Sequence, residues 1–221
     1  AKAYVEEGYQ AMKMRFPYGP GHGIDGMRAN EEHVANVRDA VGDDIEIMAD
    51  AYMGWDFLYA KKMVKRLEPY RLAWLEEAFL PDDLNSYAKL RQETSIPISG
   101  GEHEYTRFGF QQIIEKQAMD IIQPDLRRCG GLSEGRRICA LALANGITVI
   151  PHAYGPTHIH FALAETAIPM IEYFPLPCWD DLPDAEVEPI FHDEPQPQNG
   201  RVTASVKPGL GVTVNERIFA G

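Results

Sequence analysis

The fold of this chain is decided by three short apolar runs that each reach an acid: IEIMAD at 45–50, AWLEE at 73–77 and IPISGGE at 96–102. Within them, Asp50, Glu76 and Glu102 are evenly spaced, 26 residues apart. That interval is about what one strand, one helix and two short loops require. Successive parallel strands would therefore return a carboxylate to the same end of a sheet. Three oxygen ligands at one point favour a divalent cation such as Mg²⁺.

The composition limits the possible classes of function. Of the 221 residues, 45% are hydrophobic, which is enough for a core, and no apolar run approaches the length of a membrane span. A formal net charge of −12 disfavours a nucleic-acid partner. Cys129, Cys139 and Cys178 form no CxxC pair, so we expect reduced thiols in a cytoplasmic protein.

Strand-like and helix-like segments alternate along most of the chain. Strands are predicted at 11–16, 45–50, 73–77, 96–100, 120–125, 148–152 and 170–174. Helices are predicted between them, beginning at caps such as Asn30 and Asp56. Such alternation indicates a parallel sheet, open or closed into a barrel. There is no dinucleotide fingerprint, and polar residues end strand after strand, so we predict a (β/α)8-type (TIM) barrel with its chemistry at that end.

The first predicted strand and the loop after it carry polar groups that could face either solvent or a barrel mouth. Lys13 and Arg15 share one strand face, which would normally be solvent-exposed but would meet an anionic substrate if it points into a barrel mouth. The loop at 17–28 contains four glycines and His22. Its spacing fits neither a P-loop nor a dinucleotide site, so we expect a mobile lid or a plain loop.

The regular pattern stops near residue 175. We predict a partial barrel domain at 1–175 and a C-terminal segment at 176–221, in which residues 197–214 are hairpin-like. The chain opens within a predicted helix, and an eighth strand would lie before residue 1. We therefore expect that an N-terminal portion precedes this sequence.

Asp125, His152 and Glu172 end the next three predicted strands. Neighbouring strand ends in a barrel would let the Asp125 carboxylate orient the His152 imidazole and raise its basicity. Such a pair can take or deliver a proton. A single strand-end acid is often only a helix cap, but polar residues at so many strand ends are typical of an active site.

Several motifs together point to a known family: KMR at 13–15, Asp50, WLEE at 74–77, GEH at 101–103, QPD at 123–125, GG at 130–131, PH at 151–152 and Glu172. In this combination the chain resembles the enolase superfamily, in particular its mandelate racemase-like acid-sugar dehydratases. Within that group, the runs EEAFLPDD, SGGEHEYTRFGF and DIIQPD are most similar to those of L-rhamnonate dehydratases.

The resemblance implies a lyase, more narrowly a hydro-lyase. It would remove the proton α to the carboxylate of an aldonate such as L-rhamnonate and eliminate the 3-hydroxyl, giving a 2-keto-3-deoxy acid. Mg²⁺ on Asp50, Glu76 and Glu102 would stabilise the charge left when the proton departs. His152, paired with Asp125, would be the base, the acid, or both in turn.

The resemblance also implies roles around this centre. Glu172 would hydrogen-bond the substrate carboxylate end, and His103 would contact substrate hydroxyls, act as a second acid, or only support a neighbouring ligand. Glu77 follows a ligand on a strand, so its side chain should point away and be structural. The candidate pocket residues are His22, Arg28, Tyr52, Trp55, His103 and Arg107.

The chain departs from the family pattern at Arg15, where many members carry a lysine base. Arginine stays protonated, so Arg15 would bind the carboxylate, and two-base racemisation is disfavoured. Members also begin with an α+β capping domain, which is absent here and to which the C-terminal segment would return. Homo-oligomers are common among such enzymes, and we expect one here.

Two alternatives stay open, and a third is discounted. One is a racemase, epimerase or cycloisomerase on the same scaffold, and another is a metal-binding module without catalysis. The Asp125–His152 pair argues against the second, because binding needs no proton-transfer group. A zinc hydrolase is discounted, because His158 and His160 form an HxH at a helix start, where the two side chains diverge.

Overall fold

The computed structural model describes residues 1–174 and 190–219. Six parallel strands in the described part form one sheet in the order of the chain: β1 (Ala11–Arg15), β2 (Glu46–Asp50), β3 (Trp74–Glu76), β4 (Ile98–Gly100), β5 (Ile121–Ile122) and β6 (Thr148–Val149). Each strand pairs in parallel with the next one. The predicted partial (β/α) barrel and six of the seven predicted strands are confirmed.

Helices precede, connect and follow these strands: α1 (Lys2–Glu6), α2 (Gly23–Val41), α3 (Phe57–Leu67), α4 (Leu84–Glu93), α5 (Thr106–Glu115), α6 (Gly131–Ala144) and α7 (Pro156–Ala164). In α3 the apolar positions recur every three or four residues and are buried. This spacing favours a helix, and the buried positions form the face that packs on the core. Its first turn is capped as predicted: the backbone N–H of Tyr59 donates to Asp56 Oδ1 at 2.8 Å.

The core lies between the sheet and the surrounding helices. Strand residues and helix residues contribute to one continuous cluster: Ile47, Leu75, Ile98, Ile122 and Val149 from the strands, and Val34, Met63, Leu90, Ile113 and Ile138 from the helices. β3 and β4 are buried at every position, so they read as short apolar runs rather than as alternating patterns. This packing holds the carboxyl ends of the strands in place.

The predicted lid or plain loop at 17–28 is wrong for its second half. A 3₁₀ turn leads directly into α2, which begins at Gly23. Asn30 is therefore no helix cap; it is buried inside α2 and donates to a backbone carbonyl of the preceding loop at 2.9 Å. Gly26 suggested a loop, but its small size serves packing, because a Cβ there would lie 2.5 Å from the His22 side chain.

The predicted strand at 170–174 is also wrong. The backbone N–H of Val149 donates to Ala167 O at 3.1 Å, so the chain begins to run beside β6. Pro169 then offers no N–H, and the following residues form no strand pairing. The segment nevertheless carries Glu172 to the carboxyl edge of the sheet, where its Oε2 accepts from a backbone N–H at 2.8 Å.

The two edges of the sheet approach each other. Lys13 on β1 forms an ion pair with Glu172, which follows β6. Beside it, the rings of Tyr9 and Tyr173 stack with 6.2 Å between their centroids. The sheet therefore curves as a barrel wall does.

The C-terminal part contains an antiparallel pair that begins before the range of 197–214 predicted to be hairpin-like. β7 (Phe191–His192) pairs antiparallel with β8 (Thr213–Val214), and Gln198 bridges Arg201 around an Asn-Gly turn. The predicted domain boundary near residue 175 falls at the start of a stretch outside the described residues and stays a prediction.

The structure also bears on the cysteines and on membrane insertion. Cys129 and Cys139 are buried free thiols, as expected, whereas Cys178 lies outside the described residues. Over residues 1–174 and 190–219, none of the helices combines the length and apolarity needed to cross a bilayer.

Candidate active site

Strand register brings the predicted acids to one end of the sheet. Arg15, Asp50 and Glu76 are direct neighbours on β1, β2 and β3. Glu102 lies two residues beyond β4, at the same carboxyl end. The Asp50, Glu76 and Glu102 side chains are all buried. Parallel pairing thus gathers at one edge the acids that the sequence places 26 residues apart.

Glu76 is held by three donors. Its Oε1 accepts from Lys13 Nζ, and its Oε2 accepts from Trp74 Nε1 at 2.9 Å and from Gln123 Nε2 at 2.8 Å. Burial favours the protonated acid, but Lys13 and the hydrogen bonds outweigh it and lower the pKa of Glu76. For Lys13, burial alone would lower the pKa, yet Glu76 and Glu172 raise it above its ordinary value. This end of the sheet therefore keeps a permanent ammonium between two carboxylates.

Asp50 is less well neutralised. Its Oδ1 accepts from the backbone N–H of Tyr52 at 2.7 Å, and its Oδ2 lies 3.2 Å from Arg15 Nε. Burial and the charge of Glu76 raise the pKa of Asp50 to about 6. The Arg15 side chain stays 63% exposed and stacks over the Tyr52 ring at 4.2 Å. Arg15 therefore lies at the rim of the site.

Glu102 sits among cationic and imidazole nitrogens. Its Oε1 accepts from Arg128 Nη1 at 3.1 Å and lies 3.7 Å from His103 Nε2. Its Oε2 lies 3.2 Å from His152 Nε2. Two imidazoles thus approach different oxygens of one carboxylate.

The structure brings His152 and Asp125 together. The distance from His152 Nδ1 to Asp125 Oδ2 is 3.0 Å, and Asp125 Oδ1 accepts from the backbone N–H of Arg127 at 2.7 Å. Burial would raise the pKa of Asp125, but His152 and Arg127 hold it well below its usual range. Burial would lower the pKa of His152, but Asp125, Glu172 and Glu102 raise it. An ionised Asp125 therefore supports a basic imidazole.

Glu77 does not point away from the site, contrary to prediction. Its φ of 41° lies in the left-handed region, which ends the strand alternation immediately after Glu76. The side chain turns to His103, and its Oε1 lies 2.9 Å from Nδ1. Burial raises the pKa of Glu77, partly opposed by its hydrogen bond to His103. Glu77 is thus a buried acid of the site itself.

The donor set suits a hard divalent cation. Buried carboxylate oxygens converge at the strand ends, and two further buried oxygens, Gln123 Oε1 and Glu77 Oε2, have no hydrogen-bond partner. In the described part of the chain, the potential ligand atoms that lie within 4.8 Å of one another are those of Glu77, Glu102 and His103. The predicted triad is not within that distance in the described part of the chain, and Glu76 Oε1 accepts from Lys13.

Two predicted substrate-binding residues make contacts elsewhere. His22 Nδ1 lies 3.2 Å from the backbone N of Gly19. Arg107 Nη1 donates to Glu134 Oε1 at 2.8 Å and to its Oε2 at 2.9 Å. Arg107 thus fastens the start of α5 to α6. Binding of substrate by His22 and Arg107 stays a prediction.

Sequence reasoning assigned no role to Gln123 and Arg128, which contact the predicted metal ligands Glu76 and Glu102. Gln123 directly follows β5 within the QPD motif, so its position at the strand end was a usable signal. Arg128 lies in the loop beyond it, where only the fold shows that the guanidinium turns back to Glu102.

The sheet is parallel and curved, has helices between its strands, and carries acids and a histidine pair at its carboxyl edge. These features define the class of α/β barrel domains whose chemistry lies at that edge. Comparison with known families is consistent with this class. The chain belongs to the family described as Enolase C-terminal domain-like, whose sequence model matches residues 1–218.

Individual relatives fall within the same group. The chain is 38% identical over 220 residues to an L-rhamnonate dehydratase of Saccharopolyspora erythraea, covering 96% of this chain and 55% of the relative. A rhamnonate dehydratase structure from Gibberella zeae complexed with Mg matches with a TM-score of 0.88 and 37% identity, covering 99% of this chain and 54% of that one. The 3,6-anhydro-D-galactonate cycloisomerase of Zobellia galactanivorans matches with a TM-score of 0.83 and 27% identity, covering 99% and 60%. The chain thus spans about half the length of the curated relatives that it matches.

Proposed function

We propose that this chain is the catalytic barrel of a Mg²⁺-dependent hydro-lyase that dehydrates an acid sugar, an aldonate such as L-rhamnonate, to a 2-keto-3-deoxy acid. The observation that carries the proposal is the hydrogen bond between His152 Nδ1 and Asp125 at 3.0 Å, with Nε2 of the same imidazole 3.2 Å from Glu102. A proton-transfer group beside clustered carboxylates is what abstraction of an α-proton requires. The similarity to rhamnonate dehydratases supports the choice of substrate class.

Asp50, Glu76 and Glu102 would hold the metal, since all three are buried oxygen donors at one edge of the sheet. When bound, Mg²⁺ attracts the substrate carboxylate and stabilises the negative charge that develops as the α-proton leaves. Lys13 is cationic between Glu76 and Glu172 and adds positive charge at the same place. Arg15, at the rim, is positioned to bind an incoming carboxylate.

Asp125 determines what the imidazole of His152 can do. By accepting from Nδ1–H it leaves the Nε2 lone pair free to take the α-proton, and it stabilises the imidazolium that results. The C–H electron pair then forms the new C=C bond while the 3-hydroxyl departs with a proton as water. The imidazolium of His152 supplies that proton, and the enol product tautomerises to the 2-keto acid.

Dehydration is preferred to racemisation because the two cations described on the first strand, Lys13 and Arg15, are poor bases. Lys13 is engaged by two carboxylates, which raise its pKa, and Arg15 stays protonated. A racemase would need a neutral group to exchange the proton with the second face of the substrate.

The test uses the full-length protein with Mg²⁺, a panel of aldonic acids and an assay for 2-keto-3-deoxy acid. The variant is His152→Asn, and the matched control is His160→Asn, because His160 lies on α7 and its Nε2 lies 3.3 Å from Leu210 O in the C-terminal part. Keto acid formed by the wild type and the control, and lost in His152→Asn, is the expected result.

Two outcomes would overturn the proposal. Exchange of the α-proton with deuterated solvent that depends on His152 but yields no keto acid would indicate a racemase or epimerase. Mg²⁺ binding measured by calorimetry, without exchange or keto acid for any substrate, would indicate a binding module. Size-exclusion chromatography of the same preparation tests the proposed homo-oligomer.

A further inference from the structure

We propose that Glu77 is a positioning residue that fixes the orientation and tautomer of His103, so that two carboxylate-oriented imidazoles, rather than one, face Glu102. The catalytic meaning of this inference rests on the proposed function, whereas its geometry does not. Glu77 was expected to be structural, and its contact with His103 is what changes that assignment.

The backbone delivers Glu77 to this place. On a regular strand the residue after Glu76 would face the helices. Its φ of 41° is a conformation that L residues seldom adopt, and it swings the side chain back to the carboxyl edge. Gly100 of the neighbouring strand lies next to it, because a Cβ at that position would be in ordinary contact with the Glu77 side chain at 3.7 Å.

The two histidine pairs are built alike. Glu77 Oε1 lies 2.9 Å from His103 Nδ1, and Asp125 Oδ2 lies 3.0 Å from His152 Nδ1. Both carboxylates are almost fully buried, and both imidazoles are partly exposed. In each pair Nε2 points to Glu102, at 3.7 Å from Oε1 for His103 and 3.2 Å from Oε2 for His152.

This arrangement has a chemical consequence. A carboxylate that accepts from Nδ1–H holds the neutral imidazole in the tautomer with a bare Nε2. His103 Nε2 is then a hydrogen-bond acceptor in the site. It lies near Glu102 Oε1, whereas His152 Nε2 lies near Glu102 Oε2. Hydroxyl groups along an aldonate chain are the donors that such an acceptor would bind, so His103 would orient the substrate relative to His152.

A purely structural role for Glu77 accounts poorly for its surroundings. A buried carboxylate kept only for stability normally has both oxygens satisfied. Glu77 Oε2 is buried without a hydrogen-bond partner, and Oε1 contacts the His103 side chain, which is itself partly exposed. Both facts indicate a group arranged for His103 and for what His103 contacts.

The experiment measures the tautomer first. Full-length protein labelled with ¹⁵N-histidine is examined by NMR at pH 8 with Mg²⁺, and His103→Asn assigns the signal. We expect His103 to carry its proton on Nδ1 in the wild type and in Glu77→Gln, whose amide oxygen still accepts. In Glu77→Met the acceptor is lost, and we expect the proton on Nε2. Asp120→Asn, a carboxylate at the other end of the strands, serves as the matched control and should leave the His103 signal unchanged.

Steady-state kinetics on an aldonate that the wild type dehydrates then test the role. Glu77→Met should lower kcat about tenfold or more, Glu77→Gln should recover most of the loss, and adding Glu77→Met to His103→Asn should cost nothing further. A wild-type proton on Nε2, or an unchanged tautomer in Glu77→Met, would overturn the positioning role. An additive loss in the double variant would overturn action through His103. Because the NMR result needs no turnover, failure of the dehydratase proposal leaves it separately testable.

Discussion

The two ends of the sheet treat buried polar groups in opposite ways. At the amino end, the buried Arg38 donates to four backbone carbonyls, of Gly42, Ile45, Tyr70 and Arg71, at 2.7 to 3.1 Å. At the carboxyl end, Glu77 Oε2 and Gln123 Oε1 are buried without a hydrogen-bond partner. Burial, together with the charge of Glu76 beside it, keeps the pKa of Asp50 raised there.

This difference separates stability from chemistry. Satisfied buried groups lower the free energy of the folded chain, whereas unsatisfied ones raise it and persist only where something else requires them. In a parallel α/β barrel the amino end is the stabilising end and the carboxyl end holds the site. Substitutions at the two ends should therefore change different properties.

The largest effect is expected for Asp125→Asn. Asp125 Oδ1 accepts from the backbone N–H of Arg127, so an asparagine would keep its oxygen there and place its N–H against His152 Nδ1, which stabilises the wrong tautomer. Glu77 has no such second contact, so a glutamine there can still turn its oxygen to His103. We expect kcat for keto-acid formation to fall about 10²- to 10⁴-fold. Thermal unfolding should change little. A loss of kcat that follows a loss of folded protein would contradict a catalytic role.

Arg38→Met tests the amino end. The methionine fills much of the same space but leaves four carbonyls without their donor, so the free energy of unfolding should fall by about 3 kcal/mol. Urea denaturation measures this change, and kcat per folded molecule should stay unchanged. The matched control is Arg136→Met, since Arg136 is exposed and pairs with Glu165, and it should cost less than about 1 kcal/mol. Equal losses for both variants would remove the contrast between the ends.

His158 should make the carboxyl end sensitive to acid. The side chain is buried on α7, its Nε2 lies 3.8 Å from Asp125 Oδ1, and burial lowers its pKa to about 4. The unfolded chain, with the ordinary value of 6.5, binds a proton more readily between these pH values. This residue's contribution to stability is therefore present above about pH 6.5 and is lost as the pH falls to about 4, by up to about 3 kcal/mol.

Urea denaturation of His158→Gln across this pH range checks the effect. The slope of unfolding free energy against pH should become shallower than in the wild type. His160→Gln, on the same helix but only partly buried, controls for the loss of an imidazole from α7. An unchanged slope in His158→Gln would show that the histidine is not held neutral in the fold.

The arrangement of Asp50, Glu76 and Glu102 at one edge was predictable, because each repeat of strand and helix returns the chain to the same side of a parallel sheet. The Asp125–His152 pair followed from the same rule. The position of Glu77 was not predictable from this rule, because side chains alternate only while the backbone is extended. The local sequence WLEE does not indicate that Glu77 adopts a left-handed conformation. Gly26 misled for a related reason: its small size serves packing against His22 rather than a turn.

Residues 170–174 show a different limit. Their apolar pattern fits a strand, but pairing depends on donors that Pro169 does not provide and on neighbours that the local sequence does not describe. Arg128 was missed because a loop side chain reaches its partner through the fold. The spacing of strands thus predicted the main acids of the site, while the second histidine pair required the backbone course itself.

Lys13 joins the first strand to the segment beyond the last one, through Glu172. At this joint, within the described part of the chain, the two edges of the sheet are connected by an ion pair and not by strand pairing. Such a joint can part and re-form without breaking any strand pairing. It also lies where an anionic substrate is proposed to bind. A carboxylate bound there would meet the same ammonium group that connects the two edges of the sheet.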